Sequence, residues 1–274
     1  MHKELHVLDP ARIPAALRTH GSQYSLAARI EDAALSVSQP VQQTFFDGWL
    51  LRYSPGKAKR ARSINCIGAG VLEFAEKLSH CMDFYRHHSL PCLFRITPFS
   101  QPCDLDTKLA AAGFGAHQDT RVMSVALSQI RLSAPASAAA SVDAEQFADV
   151  FSKLHGIDAA KASAERDRYL RASERSVYVV QRDDNAPIAC GSVAIEGRLA
   201  GIFGMVTAST HRGRGIASSI VAQLLDGARA AGAETAYLQV EADNTPARRA
   251  YSKFGFEDRY AYWYRAPSSS GDDL

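Results

Sequence analysis

The sequence predicts an α/β protein of two lobes, each a mixed, twisted sheet flanked by helices. Three observations lead there. At 274 residues the chain exceeds one average domain. Over residues 144–265, segments of helical period alternate with segments of strand period. A small-residue stretch at 128–143, SQIRLSAPASAAASVD, packs poorly and separates this part from a first part of similar element order.

The second part reads clearly. Phe147, Phe151 and Leu154 fall at helical spacing in 144–155, and a second helix is expected over Ala162–Ala172. Val177–Gln181 and Ile188–Ile195 read as strands around Asp183-Asp184-Asn185, and Leu199–Thr207 follows the turn Glu196-Gly197-Arg198. Ile216–Ala231 is an amphipathic helix, with Ile216, Ile220, Val221, Leu224, Leu225 and Ala228 on one face and Gly232 to end it. A strand at Ala236–Ala242 precedes a helix capped by Thr245, with Pro246 at its first position, running to Phe254. Tyr260–Arg265 closes as a strand, and the tail from Pro267, PSSSGDDL, reads as disordered.

In the first part, Glu31–Leu35 belongs to a helix, and Phe45–Tyr53 and Arg62–Ile67 are strands around Pro55-Gly56. Leu72–His87 is helical and Leu93–Thr97 a strand. Asp106–Ala112 is a helix ended by Gly113, and Arg121–Leu127 a strand. Both parts thus end in helix, strand, helix, Gly-Phe (Gly113-Phe114, Gly255-Phe256) and strand, which points to an internal repeat. The expected organisation is a lobe at 1–130, a linker at 131–143, a second lobe at 144–266 and a tail at 267–274.

Composition narrows the function. Lys plus Arg number 31 and Asp plus Glu 29, so the net charge of +2 gives no broad field for a polyanion, and nucleic acid is not an expected partner. No 18-residue apolar run and no signal-like start argue against a membrane partner. The five cysteines form no C-x-x-C pair, which fits a reduced, cytoplasmic setting and buried small side chains. The basic run Arg52, Lys57, Lys59, Arg60, Arg62 reads as a solvated hairpin.

The chemistry is concentrated in Arg212-Gly213-Arg214-Gly215-Ile216-Ala217, between a strand and a helix. Such a turn aims free backbone N–H groups at an anion, with the positive end of the helix dipole behind them. A Walker loop would need a Lys that is absent, and a Rossmann fingerprint would need glycine where Ser218 stands. Arg212, Gly215 and Ala217 do fit R-x-x-G-x-A, and downstream Asn244, Ala247, Tyr251, Gly255 and Phe256 fit N-x-x-A-x-x-x-Y-x-x-x-G-F. On these two motifs, residues 144–265 resemble the GNAT superfamily of acyl-CoA-dependent N-acyltransferases. The first part is similar to the N-terminal half of tandem GNAT-like proteins through Gly48-Trp49-Leu50-Leu51-Arg52 and Phe94-Arg95-Ile96.

The resemblance implies a GNAT-like mixed sheet and acetyl-CoA as cofactor. Backbone N–H groups of Arg212, Gly213, Arg214, Gly215, Ile216, Ala217 and Ser218 would cradle its pyrophosphate. The strand end Met205-Val206-Thr207 would pair with the pantetheine arm and polarise the thioester carbonyl. Asn244 would lie along the pantetheine, and Tyr251 would protonate the departing thiolate. The partner would be an amine acceptor of unknown identity, on a monomer or homodimer; the alternative is a non-catalytic acyl-CoA sensor. A Lys-type amine, pKa ~10.4, must lose a proton before it attacks. Strand 199–207 holds no carboxylate to take it, so Glu241 is the first candidate base and a bound water its alternative; Glu196 reads as a solvated turn residue and His155 as a residue lining the acceptor pocket. The first lobe has Leu109 in place of Tyr251 and a Gly68-Ala69-Gly70 turn without its Arg, so it is expected to be non-catalytic.

Overall fold

Asp184 and Asn185 both sit at positive φ, 45° and 65°. This two-residue turn folds β7 (Ser176–Asp183) back on β8 (Ala186–Glu196), and Gly197 at φ 56° turns β8 into β9 (Leu199–Thr207). The computed structural model describes residues 21–56, 58–131, 139–171 and 176–268. In the first part Asp47 (φ 41°) and Gly48 (φ 83°) do the same for β1 (Gln42–Phe46) and β2 (Trp49–Tyr53). The first hairpin therefore turns at Asp47-Gly48, not at Pro55-Gly56. A 3-10 turn at Lys59–Arg62 then leaves only Ile64–Asn65 as β3.

The remaining first-part elements are α1 (Gly21–Val37), α2 (Phe74–His87), β4 (Phe94–Ile96), α3 (Leu105–Ala111) and β5 (Phe114–Ala126). The second part opens with β6 (Ala140–Val142), which pairs with β7, so the end of the expected linker is strand; residues 132–138 lie outside the described residues. Then come α4 (Ala144–His155), α5 (Ala159–Leu170), α6 (Ile216–Ala230), β10 (Thr235–Glu241), α7 (Thr245–Ser252) and β11 (Glu257–Pro267). Asp143 and Asp158 cap α4 and α5, each accepting the N–H three residues on. Asn244, not Thr245, caps α7 by accepting from Ala247 N–H at 3.2 Å. Pro267 pairs with Phe114 and Ser268 bonds Gly113, so the expected tail begins as strand.

All eleven strands form one sheet in the order β1-β2-β3-β4-β11-β5-β10-β9-β8-β7-β6. β3 pairs with β4, and β9 with β10, in parallel; the other pairings are antiparallel. The order is a pseudo-two-fold repeat. Leaving aside the edge strand β6, each part runs hairpin, third strand, parallel fourth strand, and then accepts the last strand of the other part. β11 lies between β4 and β5, and β5 lies between β11 and β10. Neither part completes its sheet alone.

Two faces bury the core. Ile220, Val221, Leu224, Leu225 and Ala228 of α6 pack on Val193, Ile202 and Leu238. Each fully buried Val, Leu or Ile there is worth about 1.5–3 kcal/mol, more than the ~0.3 kcal/mol of an exposed helix ion pair. Trp49, Phe94 and Phe114 form the first part's core with Cys66, Cys81 and Cys92; Cys103 is exposed, against the expectation for all five. Between the parts, Ala27, Ile30 and Ala34 of α1 pack on Leu199, Tyr237, Tyr260 and Tyr264. There Arg95 of β4, wholly buried, pairs through both terminal nitrogens with Glu31 of α1. Tyr260 of β11 donates to the same carboxylate at 2.7 Å, and the Arg95 guanidinium lies 3.9 Å from the Tyr262 ring centroid. Burial pushes the Glu31 pKa up, yet Arg95 and the Tyr260 hydroxyl hold it below its ordinary value. No described helix is long and apolar enough to cross a membrane.

Glu31→Gln leaves Arg95 buried without its counter-charge. The expected loss is about 3–5 kcal/mol of unfolding free energy in denaturant at pH 7. A carboxyl with a depressed folded pKa stabilises above its unfolded pKa, so the difference from wild type shrinks as pH falls through the carboxylate range.

Candidate active site

The site begins where two parallel strands part. β9 pairs with β10 only over Leu199–Ile202 and Thr235–Leu238. Beyond these, Phe203–Thr207 keep β8 on one side, and among the described residues no strand covers the other. Cys190 faces Val206 and Ser192 faces Phe203, so Gly204 and Met205 bulge opposite Gly191 alone. Gly204 is at φ 60°, and a Cβ there would meet the Phe147 ring and the Tyr169 hydroxyl, each at 2.9 Å. The Met205 side chain turns inward over Gly191, leaving its backbone for a ligand.

The chain then enters a 3-10 turn at Ser209–His211, and Arg212 folds back to donate to the Thr207 carbonyl at 3.3 Å. Gly213 (φ 76°) and Gly215 (φ 78°) lead into α6, where no side chain caps the helix. The glycines are required by their φ. A Cβ on either would meet no protein atom, so the space over the turn is open. The first N–H groups of α6 have no intrahelical acceptor and face that space. The diverging strands and this turn have the donors and the room that a diphosphate-bearing thioester needs; Arg212, Gly213, Arg214 and Gly215 are exposed, and Ile216–Ser218 half-buried.

Tyr251 of α7 packs on the same core cluster as Met205 and Ile216, edge-on to Phe256. Its hydroxyl makes no hydrogen bond among the described residues, and burial raises its pKa. The Asn244 side-chain oxygen is already engaged as the α7 cap. Glu241 is exposed at the end of β10 and accepts from Gln118 Nε2 at 2.6 Å.

A cavity of about 380 Å³ opens beside the bulge, between the two parts. Phe203 and Gly204 of β9 and Tyr262 and Tyr264 of β11 form its sheet wall. α4 and α5 contribute Phe151, His155, Glu165, Arg168 and Tyr169. The first part contributes Ser38, Lys59 and Arg60, with Gln118 from β5. Glu165, 2% exposed, accepts from Arg168 Nε and Nη2 at 2.9 and 2.6 Å.

Lys57 lies outside the described residues, and the rest of the basic run is no solvated hairpin. Arg52 is 3% exposed and donates to the Leu35 carbonyl, and Arg60 donates to Ser38 Oγ and Tyr262 Oη. His155 and the 150–175 helices were legible as cavity candidates; Glu165, Arg168 and the β11 tyrosines were not. Glu165 and Tyr169 are four apart on one face of α5, a carboxylate beside an aromatic on the inward side, which is the signal they offered.

The first part holds a filled counterpart of the turn. Asp47 accepts from Val71 N–H (2.9 Å) and Leu72 N–H (3.0 Å), just ahead of α2. Buried Lys77 pairs with Asp47 at 3.0 Å and lies 4.1 Å from the Trp49 ring. A Cβ on Gly70 would meet that carboxylate at 2.1 Å. Here the protein's own anion occupies the glycine turn. The Val71 N–H, followed by Leu72 and Lys77, holds the Asp47 pKa low.

Parted parallel strands, a bulge and a glycine turn opening a helix define a GNAT-type fold, here doubled in one sheet. Residues 144–256 match the model of the acetyltransferase (GNAT) family. An uncharacterized N-acetyltransferase of Bacillus subtilis (strain 168) is 27% identical over 222 residues, covering 79% of this chain and 89% of that one. A GCN5-related N-acetyltransferase from Kribbella flavida shares the fold over 89% of this chain and 96% of its own, at TM-score 0.67 and 18% identity. A tandem GNAT protein from the clavulanic acid biosynthesis pathway shares it over 72% and 70%, at TM-score 0.53 and 16% identity.

Asp47→Ala should lower the thermal midpoint at pH 7. Because the Asp47 pKa is depressed in the fold, its contribution fades as pH falls, so wild type and variant should converge in acid. Differential scanning calorimetry across pH reads both.

Proposed function

We propose that the chain transfers an acetyl group from acetyl-CoA to a primary amine by direct attack, in the cavity between its two parts. One observation carries the reading: the parting of β9 and β10 has the open glycine turn on one side and the cavity at Gly204 on the other. A donor lying in the parted strands would meet both.

The chain's own groups divide the work. N–H groups of residues 212–218 hold the diphosphate, and the free edge of Met205–Thr207 orients the pantetheine arm, with an N–H at the bulge polarising the carbonyl. When bound, acetyl-CoA supplies the activated thioester. Tyr251, whose pKa burial keeps high, stays protonated at neutral pH and donates to the leaving sulfur. Glu241, held by Gln118 at the cavity edge, is the first acceptor for the amine proton; His155, on the cavity wall, is its competitor. The first part, its turn filled by Asp47, binds no donor.

Isothermal titration should give one acetyl-CoA per chain. At 100 times its dissociation constant the ligand adds about 2.7 kcal/mol to stability. Gly215→Glu, which fills the open turn with a side chain and a like charge, should abolish the shift in thermal midpoint. A shift unchanged in Gly215→Glu, or two ligands per chain, overturns the cradle assignment.

Tyr251→Phe should cut kcat about 100-fold with little change in donor affinity, and remove the alkaline limb of the pH–rate profile. An unchanged profile on a verified acceptor removes the proton-donor role.

A further inference from the structure

The charges on the cavity wall are unbalanced. Glu165 is matched by Arg168. Lys59 and Arg60 have no carboxylate within ion-pair distance among the described residues, and neither has the neighbouring Arg62. Arg60 spends its terminal nitrogens on two hydroxyls, Ser38 Oγ at 3.0 Å and Tyr262 Oη at 3.3 Å, and its buried Nε has no partner. Lys59 lies 5.8 Å from the Tyr264 ring centroid, and Glu241 acts on it from beyond ion-pair distance. Carboxylates reach these cations only from beyond ion-pair distance, Glu241 for Lys59 and the Arg95-bound Glu31 for Arg60, and partly buried cations so placed are costly, which shows in the lowered pKa of Lys59 and of Arg62, both through desolvation first. A fold that keeps two of them on the wall of a 380 Å³ cavity leaves a place for an anion.

We propose that the acceptor is an amine that also carries an acid group, of amino-acid type, with Lys59 and Arg60 holding the acid group while the amine reaches the bulge at Gly204. The inference rests on the cavity being the acceptor site. The same wall explains the aromatic lining: Phe151, Tyr169, Tyr262 and Tyr264 accommodate the body of the molecule between its two charged ends. It also gives the first part a task. That part binds no donor, yet it supplies the cations.

The test uses the full chain, acetyl-CoA and release of free thiol. Matched probes separate the acid group from the amine: L-phenylalanine against phenethylamine, and β-alanine and O-phosphoethanolamine against propylamine. The acid-bearing amine should have about tenfold higher kcat/KM than its neutral partner. β-Alanine against O-phosphoethanolamine decides between carboxylate and phosphate. Lys59→Met should shrink the acid-to-neutral ratio roughly fivefold or more, through KM, and Lys59→Arg should restore it. Thermal shift with each probe alone reads binding without turnover. Equal kcat/KM for acid and neutral amines, a ratio untouched by Lys59→Met, or no acid-bearing probe that either binds or reacts overturns the proposal. A chain that fails to bind acetyl-CoA but is stabilised by the acid-bearing probes through Lys59 instead overturns the donor reading and keeps this one.

Discussion

β5 belongs to the first part of the chain yet lies between β11 and β10, and β11 returns the exchange by lying between β4 and β5. Separating the parts would tear the longest antiparallel pairing in the sheet and expose the Glu31–Arg95 pair, which the Tyr260 hydroxyl ties to β11. A buried ion pair is not by itself a large source of stability. Its effect is on geometry: three directional hydrogen bonds, two from Arg95 and one from Tyr260 to Glu31, permit one arrangement of α1, β4 and β11. The cavity is built from Ser38, Lys59 and Arg60 on one side and from α4, α5 and β9 on the other, so its shape follows from that arrangement.

The two glycine turns contrast within one molecule. Both follow the third strand of their part and precede the helix that leads to the parallel fourth strand. In the second part, Gly213 and Gly215 leave the space over the turn open, and Arg212 is drawn aside onto Thr207. In the first, Asp47 fills the equivalent space, and Lys77 neutralises it from beneath. The same physics, N–H groups gathered at a helix start, is answered by a side chain in one part and left open in the other.

Much of this was legible in the sequence because local rules governed it. The Leu199–Thr207 strand and the start of α6 at Ile216 matched their expected positions, since period, turn glycines and amphipathic spacing agreed. The first hairpin was misplaced because Pro55-Gly56 is a stronger generic turn signal than Asp47-Gly48, while the true turn is selected by Asp47 capping Val71 and Leu72, 24 and 25 residues away. The basic run misled for a similar reason. Its composition suggests solvent, and only the docking of α1 and β11 over it buries Arg52 and turns Lys59 and Arg60 inward. The cavity wall draws on seven separated segments, and no local pattern joins them.

The cations on that wall bear on the missing base. Strand β9 carries no carboxylate, and Glu241 points to the cavity edge rather than into it. An ammonium group at Gly204 shares a partly desolvated cavity with Lys59 and Arg60, and desolvation and like charge both favour its neutral form. A single carboxylate held by both cations would offset one positive charge and leave a net one across the cavity from the amine. That charge balance would lower the amine's pKa from its ordinary value, which eases proton loss to an imidazole or water and lessens the need for a dedicated carboxylate on β9. The features that select an acid-bearing acceptor would then also prepare its amine for attack.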